Sequence, residues 1–217
     1  MHDLSNLGEG IDMKFKSKTL AVSFACLLVA ASSAANGDSP TGRFMEVGGA
    51  TRAPAGHVGF CAENPRECVT ANRGAVVVKL NQGRWKELIA VNAEVNRQIS
   101  PVTDLELFGV EEYWTFPSGG AGDCEEYVLE KQRVLQKRGW PQSALLITVV
   151  KDTNNAGHAV LTVRTDQGDI ILDNQIEAVL PWYSTPYRFV KRQSSSHPAR
   201  WAAISDHRVS TVASLSN

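Results

Sequence analysis

Gly122-Asp123-Cys124-Glu125-Glu126-Tyr127 sets a cysteine between acidic side chains at the point where a helical pattern begins. Cys124, Val128, Lys131 and Leu135 then share one face, with Tyr127 and Val134 beside it. Asp123 has the side chain of an N-cap, and Glu125 and Glu126 suit the positive end of a helix dipole. Lys137 and Arg138 suit the last turn, Gly139 the position after it and Pro141 the stop, so the pattern predicts a helix over Cys124 to Arg138. A sulfur in the first turn of a helix meets unpaired N–H groups and the positive dipole end, which favour the thiolate. The same N–H groups suit the oxyanion of a tetrahedral intermediate. The acidic neighbours work against the thiolate. They must point away, or a cation or ligand must offset their charge.

Downstream lie Gly157-His158-Ala159-Val160-Leu161 and Leu172-Asp173-Asn174. Cys, His and Asp in that order supply a nucleophile, a base and an orienting carboxylate. The β-rich segments Ala144 to Val150, His158 to Arg164 and Asp169 to Asp173 surround them, and Thr165-Asp166-Gln167-Gly168 is a turn signal. With Thr165 and Asp166 at the turn centre, His158 falls directly opposite Asp173, where Cβ atoms are about 5 Å apart. Taken singly, each residue has an ordinary explanation. A lone cysteine is often a small buried hydrophobe, His57, His197 and His207 show that histidine alone means little, and Asp173 before Asn174 suits a strand-end turn. Their joint order and placement point to a site.

The rest of the chain builds the frame. Trp85, Leu88, Ile89, Asn92, Val95, Asn96 and Ile99 follow a helical period, predicting a helix over Arg84 to Ile99 that Pro101 ends. Ser39 to Gly59 reads as an irregular lead-in, and Ala75 to Leu80 as a short strand or connection. Tyr113, Trp114 and Phe116 sit in a long link that closes on Gly119, Gly120 and Gly122; core anchors and the wall of a cleft are both open readings. Trp182 to Val190 suits one more strand, and a Ser-rich tail follows Gln193, with Trp201 and Ile204 still packing on the domain. The architecture expected is α+β, with N-terminal helices packed on an antiparallel β-sheet.

The N-terminus has the order of an export signal. Met13 precedes Lys14, Lys16 and Lys18, the apolar run Leu20 to Ala31, and the small residues Ser32, Ser33, Ala34 and Ala35. The run is shorter than the roughly 20 residues of a membrane-spanning helix. Residues 1–35 are therefore expected to be a signal peptide, with translation starting at Met13 as an alternative. The 217 residues carry 22 Lys and Arg against 23 Asp and Glu, a formal charge of −1. Cleavage near Ala35 removes three charges of each sign and leaves that balance. Without a basic stripe, nucleic acid is not an indicated partner. Cleavage also removes Cys26 and leaves Cys61, Cys68 and Cys124. Cys61 and Cys68 flank an Asn64-Pro65 turn and suit a disulfide in an oxidising compartment. A zinc site with His57 is the rival, but the spacing fits no common knuckle. Cys124 is left free.

These residues resemble those of the bacterial transglutaminase-like cysteine proteinases, a family that includes periplasmic adhesin-cleaving enzymes. The resemblance rests on Val91-Asn92, Tyr113-Trp114, the Gly122–Tyr127 block, His158-Ala159-Val160-Leu161 and Leu172-Asp173-Asn174. It implies a papain-like, transglutaminase-like core over residues 36–217, as a single cysteine peptidase domain. It implies Cys124 as nucleophile, His158 as base, Asp173 as orienter, and peptide hydrolysis through a thioester. It further implies calcium at the residues flanking the nucleophile, here Asp123 and Glu125, and no organic cofactor. A protein substrate at the cell surface and regulation by a membrane receptor belong to the same implication. Glu126 stands where adhesin-cleaving members have Asp, and the Phe116–Ala121 loop differs from theirs. Trp114 is a candidate for the cleft wall or for an oxyanion donor, and Asn92 for supporting the site. The same triad serves transamidation or deamidation, because the cleft chooses the acceptor. A non-catalytic binding module with Cys124 merely buried is the alternative from outside enzymology.

Overall fold

A computed structural model describes residues 40–70 and 74–208; the expected signal peptide lies outside them. In chain order these residues form β1 (Val47–Thr51), α1 (Ala55–Glu63), α2 (Gln82–Gln98), β2 (Ser100–Pro101), α3 (Asp104–Phe108), β3 (Ala121–Gly122) and α4 (Cys124–Lys137). The second half continues with β4 (Leu145–Lys151), β5 (Gly157–Thr165), β6 (Gly168–Leu172), β7 (Leu180–Pro181), β8 (Arg188–Ser194) and β9 (His197–Ile204). Seven strands form one sheet in the order β1-β9-β8-β4-β5-β6-β7, with antiparallel neighbours throughout. The α+β architecture with a large antiparallel sheet is the one expected.

The central strands are apolar on both faces, as a sheet covered on both sides must be. Leu145, Ile147, Ala159, Leu161, Val163, Ile170 and Leu172 meet α2 and α4 through Leu88, Val91, Val95, Val128 and Leu135. The alternate residues Val150, Val160 and Ile171 face a second cluster with Met45, Trp182, Tyr187, Phe189 and Ile204. Between α2 and α4, the Tyr127 hydroxyl donates to Ile99 O at 2.6 Å and Arg138 pairs with Glu94 at 2.8 Å.

Three expectations change. The lead-in contains β1 and α1. The residues of β1 are all exposed and include Gly48 and Gly49, so pairing with β9 holds the strand where intrinsic propensity does not. In α1, Gly56 lowers helix propensity, yet a Cβ there would stand 2.2 Å from Trp114 Cδ1, so close packing requires the glycine. Ala75 to Leu80 takes the second of its two expected forms, a connection, with one bridge from Val78 to Thr165. Trp182 to Val190 divides into a 3-10 turn, Trp182–Ser184, and the start of β8. The Ser-rich tail is a hairpin turn into β9, with Trp201 and Ile204 buried as expected.

Cys61 and Cys68 are disulfide-bonded and Cys124 is free. The bond ties α1 to the following turn. Replacing both cysteines with alanine should lower the unfolding free energy by about 2 kcal/mol on the chain-entropy account, read from urea melts.

Candidate active site

Cys124 is the first residue of α4, and its placement is enforced from three sides. Ser100 N donates to Gly120 O and Val102 N to Gly122 O, so the β2–β3 pairing holds the entry to the helix. Asp123 caps the helix, its side chain accepting from Glu125 N while Glu126 Oε2 accepts from Asp123 N at 2.9 Å. Gly122 is required beside this capping box, because a Cβ there would lie 2.5 Å from the Glu126 Cβ.

The sulfur sits beside the backbone N–H of Ala159 and hydrogen-bonds Glu125 Oε2 at 2.9 Å. Burial raises the thiol pKa well above its ordinary value, the Glu125 charge and hydrogen bond raise it further, and the Ala159 N–H partly counters them. Of the expectations for the acidic neighbours, pointing away is overturned for Glu125, which turns toward the sulfur.

His158 and Asp173 meet as expected, through a different register. The turn is Asp166-Gln167, with Thr165 opposite Gly168 and Leu161 opposite Leu172. Continued by one residue, this ladder puts Asp173 opposite Val160, two positions from His158 and on its face of the strand. The pair is therefore diagonal, a separation that a histidine side chain spans. Nε2 of His158 lies 2.7 Å from Asp173 Oδ1, both residues being buried. Asp173 Oδ1 also accepts from Gln175 N at 3.0 Å, while Oδ2 accepts from Ile176 N at 3.2 Å and from the Tyr187 hydroxyl. Burial pushes the Asp173 carboxyl up, but these hydrogen bonds and the His158 charge bring it below its ordinary value. With Nε2 donating to Asp173, Nδ1 carries the free lone pair, and Gln175 Nε2 stands 3.3 Å from it. Cys124 and His158 share no direct hydrogen bond among the described residues.

The two expected metal ligands lie in a wider acidic group. Asp123, Cys124 and Glu125 bring one donor atom each within 4.8 Å of one another, and so do Asp104, Asp123 and Glu126. The Glu126 oxygens accept from Thr115 N at 3.1 Å and from Asp123 N. Asp104 Oδ2 accepts from Tyr113 N, whereas its Oδ1 is buried without a partner. Burial, followed by hydrogen bonding to Asp123 and its charge, pushes Glu125 up to about 9; burial is also the largest cause that takes Glu126 up to about 8. Asp104 is raised by burial and by the charges of Asp123 and Glu112. Crowded hard oxygens with a bare buried carboxylate oxygen suit a calcium ion.

Sequence reasoning missed Asp104, Gln175 and Tyr187, which reach the site from α3, the loop after β6 and the approach to β8. Glu126 also closes the capping box with Asp123, which its spacing from that residue signals. Trp114 is a core residue: it is 2% exposed, packs edge-on to His57, and donates its indole N–H to Glu112. Asn92 is buried, its Nδ2 donating to Glu177 O at 3.0 Å in the loop after Asp173.

Residues 47–209 match the family described as bacterial transglutaminase-like cysteine proteinase. Among solved structures, the chain is similar to calcium-bound Legionella pneumophila LapG at 28% identity, covering 52% of this chain and 66% of that one, with a TM-score of 0.45. A second Legionella pneumophila LapG structure matches at 28% identity, with coverage of 55% and 68% and a TM-score of 0.47. EGTA-treated Legionella pneumophila LapG matches at 27% identity, with coverage of 57% and 72% and a TM-score of 0.47. The calcium-bound match thus spans just under two thirds of that LapG chain. No curated protein matches significantly.

Because the Glu125 charge raises the thiol pKa, Glu125→Gln should lower the apparent pKa of Cys124. Thiolate absorbance followed through a pH titration would show it; an unchanged curve would remove Glu125 from control of the sulfur.

Proposed function

The chain belongs to the bacterial transglutaminase-like cysteine proteinase family, and from that premise we propose that it is an exported cysteine peptidase acting through Cys124, His158 and Asp173. The observation that carries this is the buried His158–Asp173 hydrogen bond at 2.7 Å beside a free cysteine at the start of a helix. Export rests on the lysine–apolar–small order of the N-terminus. Among the described residues, no helix is long and apolar enough to cross a membrane.

The chemistry follows from these groups. Nδ1 of His158 takes the thiol proton, and the sulfur attacks the substrate carbonyl carbon. N–H groups of the first turn of α4 face the oxygen as it gains charge. Collapse of the intermediate breaks the C–N bond, and the imidazolium gives its proton to the leaving amine. Water, deprotonated by His158, then attacks the thioester and releases the acid and the thiol. Asp173 keeps the imidazole in the tautomer with Nδ1 unprotonated and stabilises the imidazolium.

Asp104, Asp123, Glu125 and Glu126 would hold the calcium ion, which supplies positive charge against the carboxylate field on the sulfur. The acids fit the ion because their charges repel one another in a buried place. The pH dependence has a definite sign. Glu125 and Glu126 titrate above their unfolded value of 4.5, so the stability they contribute is complete below that pH and lost as pH rises through about 8 to 9. Calcium binding the folded state should therefore raise Tm more at pH 8 than at pH 5. An equal or absent shift would argue against a cation among these carboxylates.

The activity test incubates the purified protein and its Cys124→Ala variant with proteins from bacterial envelopes, then maps new N-termini by mass spectrometry. Cys124-dependent new N-termini are expected, and His158→Ala should slow iodoacetamide labelling of Cys124 by at least tenfold. Ammonia release without cleavage would identify a deamidase. A thiol that labels only after unfolding would make the chain a binding module.

A further inference from the structure

Cys124 and His158 are each engaged by a side chain other than the other. The Cys124 thiol donates to Glu125 Oε2 at 2.9 Å. Nε2 of His158 gives its proton to Asp173 Oδ1 at 2.7 Å, which leaves the ring's acceptor lone pair on Nδ1. Gln175 Nε2 stands 3.3 Å from that lone pair, and a carboxamide nitrogen can only donate to it. Among the described residues, Gln175 is its one hydrogen-bond donor. A neutral imidazole has a single acceptor lone pair. While the Gln175 amide occupies it, Nδ1 cannot take the thiol proton. The proposed mechanism gives Gln175 no role.

The surroundings of Gln175 set this apart from an incidental surface contact. Its backbone N donates to Asp173 Oδ1 at 3.0 Å while its side chain reaches His158, so one residue touches both members of the pair. The loop that carries it is gripped by α2, as Asn96 Nδ2 donates to Asp173 O at 2.8 Å and Asn92 Nδ2 to Glu177 O at 3.0 Å. The backbone is therefore fixed, whereas the Gln175 side chain is exposed and His158 beneath it is buried. A buried acceptor requires a donor. Here the donor comes from the solvent side, at a distance longer than an ordinary N–H hydrogen bond, so it is readily exchanged. A peptide substrate brings carbonyl oxygens that a released carboxamide N–H can bind instead.

We propose that Gln175 is a substrate-displaced cap on His158: its amide N–H holds Nδ1 in the resting site and passes to a substrate carbonyl on binding, which frees the lone pair for the thiol. The base thus becomes available when the cleft is filled. Gln175 transfers no proton; it positions His158 before binding and a substrate carbonyl after it. The inference rests on the reading of Cys124, His158 and Asp173 as a peptidase triad, and thiol labelling tests it without a known substrate.

Gln175→Leu keeps the bulk and removes both amide N–H groups, and the exposed position should leave Tm unchanged. Iodoacetamide labelling of Cys124 near neutral pH should rise about tenfold, the size of one lost hydrogen bond. On any cleaved substrate KM should also rise about tenfold, because the substrate carbonyl loses its donor. Faster labelling with weaker substrate binding is a pairing that a merely structural side chain would not produce. Gln175→Asn holds the carboxamide one methylene short of the ring and should match the leucine variant; it carries the comparison if that variant does not fold. In a His158→Ala background, Gln175→Leu should leave labelling unchanged, as two residues acting through one lone pair are non-additive. A folded variant with wild-type labelling would overturn the proposal, and so would faster labelling that persists without His158, the mark of simple shielding of the sulfur. An unchanged KM would overturn the transfer to substrate. Faster labelling in Gln175→Leu without any Cys124-dependent cleavage would uphold the cap and reject the peptidase reading, whereas cleavage with unaltered labelling would do the reverse.

Discussion

The reach of the Glu126 carboxylate back to Asp123 N and Thr115 N is the contact on which the site depends. It closes the capping box of α4, so Cys124 occupies the first turn. It fixes the link after α3 to the start of α4, and through Trp114 it connects that link to α1 and its disulfide. It demands a bare backbone at Gly122. A fully buried carboxylate is a costly way to end a helix unless hydrogen-bonded, and here both oxygens are satisfied by backbone N–H groups.

The same contact gathers acidic groups around Cys124. Asp123 and Glu126 serve as cap partners, and Asp104 is drawn in by its bond to Tyr113 N. What stabilises the helix end therefore opposes the thiolate, as burial and Glu125 also do. The two halves of the site differ in this respect. Asp173 is held ionised by hydrogen bonds from His158, Tyr187 and Gln175 N, while Glu125 and Glu126 are held toward their neutral forms. Carboxylates of one chain thus take opposite electrostatic roles, set by whether donors or acids surround them.

The sheet makes the two halves meet. Its helix-facing layer seats α4 over β5, so the sulfur lies at Ala159, one residue from His158. Its other layer carries Tyr187 and Phe189 beneath Asp173 and His158. The period-two alternation of β5 thereby assigns Ala159 to the side of Cys124 and His158 to the side of Asp173.

Much of this was legible in order and spacing. The α4 helix with its Asp123 cap, the Cys61–Cys68 bond, the three central strands and the meeting of His158 with Asp173 all follow from local rules that hold wherever a chain folds. Those rules see only near neighbours, so they put the turn centre one residue early, and the observed pairing about Asp166-Gln167 differs from the expected register by two positions. They could not show β1 and β9, whose pairing joins opposite ends of the chain, nor assign Trp114 to a core that Gly56 opens for it. The sequence alone determined which chemical groups are available and which begin or end an element. Tertiary structure decided which of them share a charge environment: Asp104 beside Asp123, and Glu125 on the sulfur. Electrostatic partners are chosen by burial and distance in space, and neither is written in the spacing of a linear pattern.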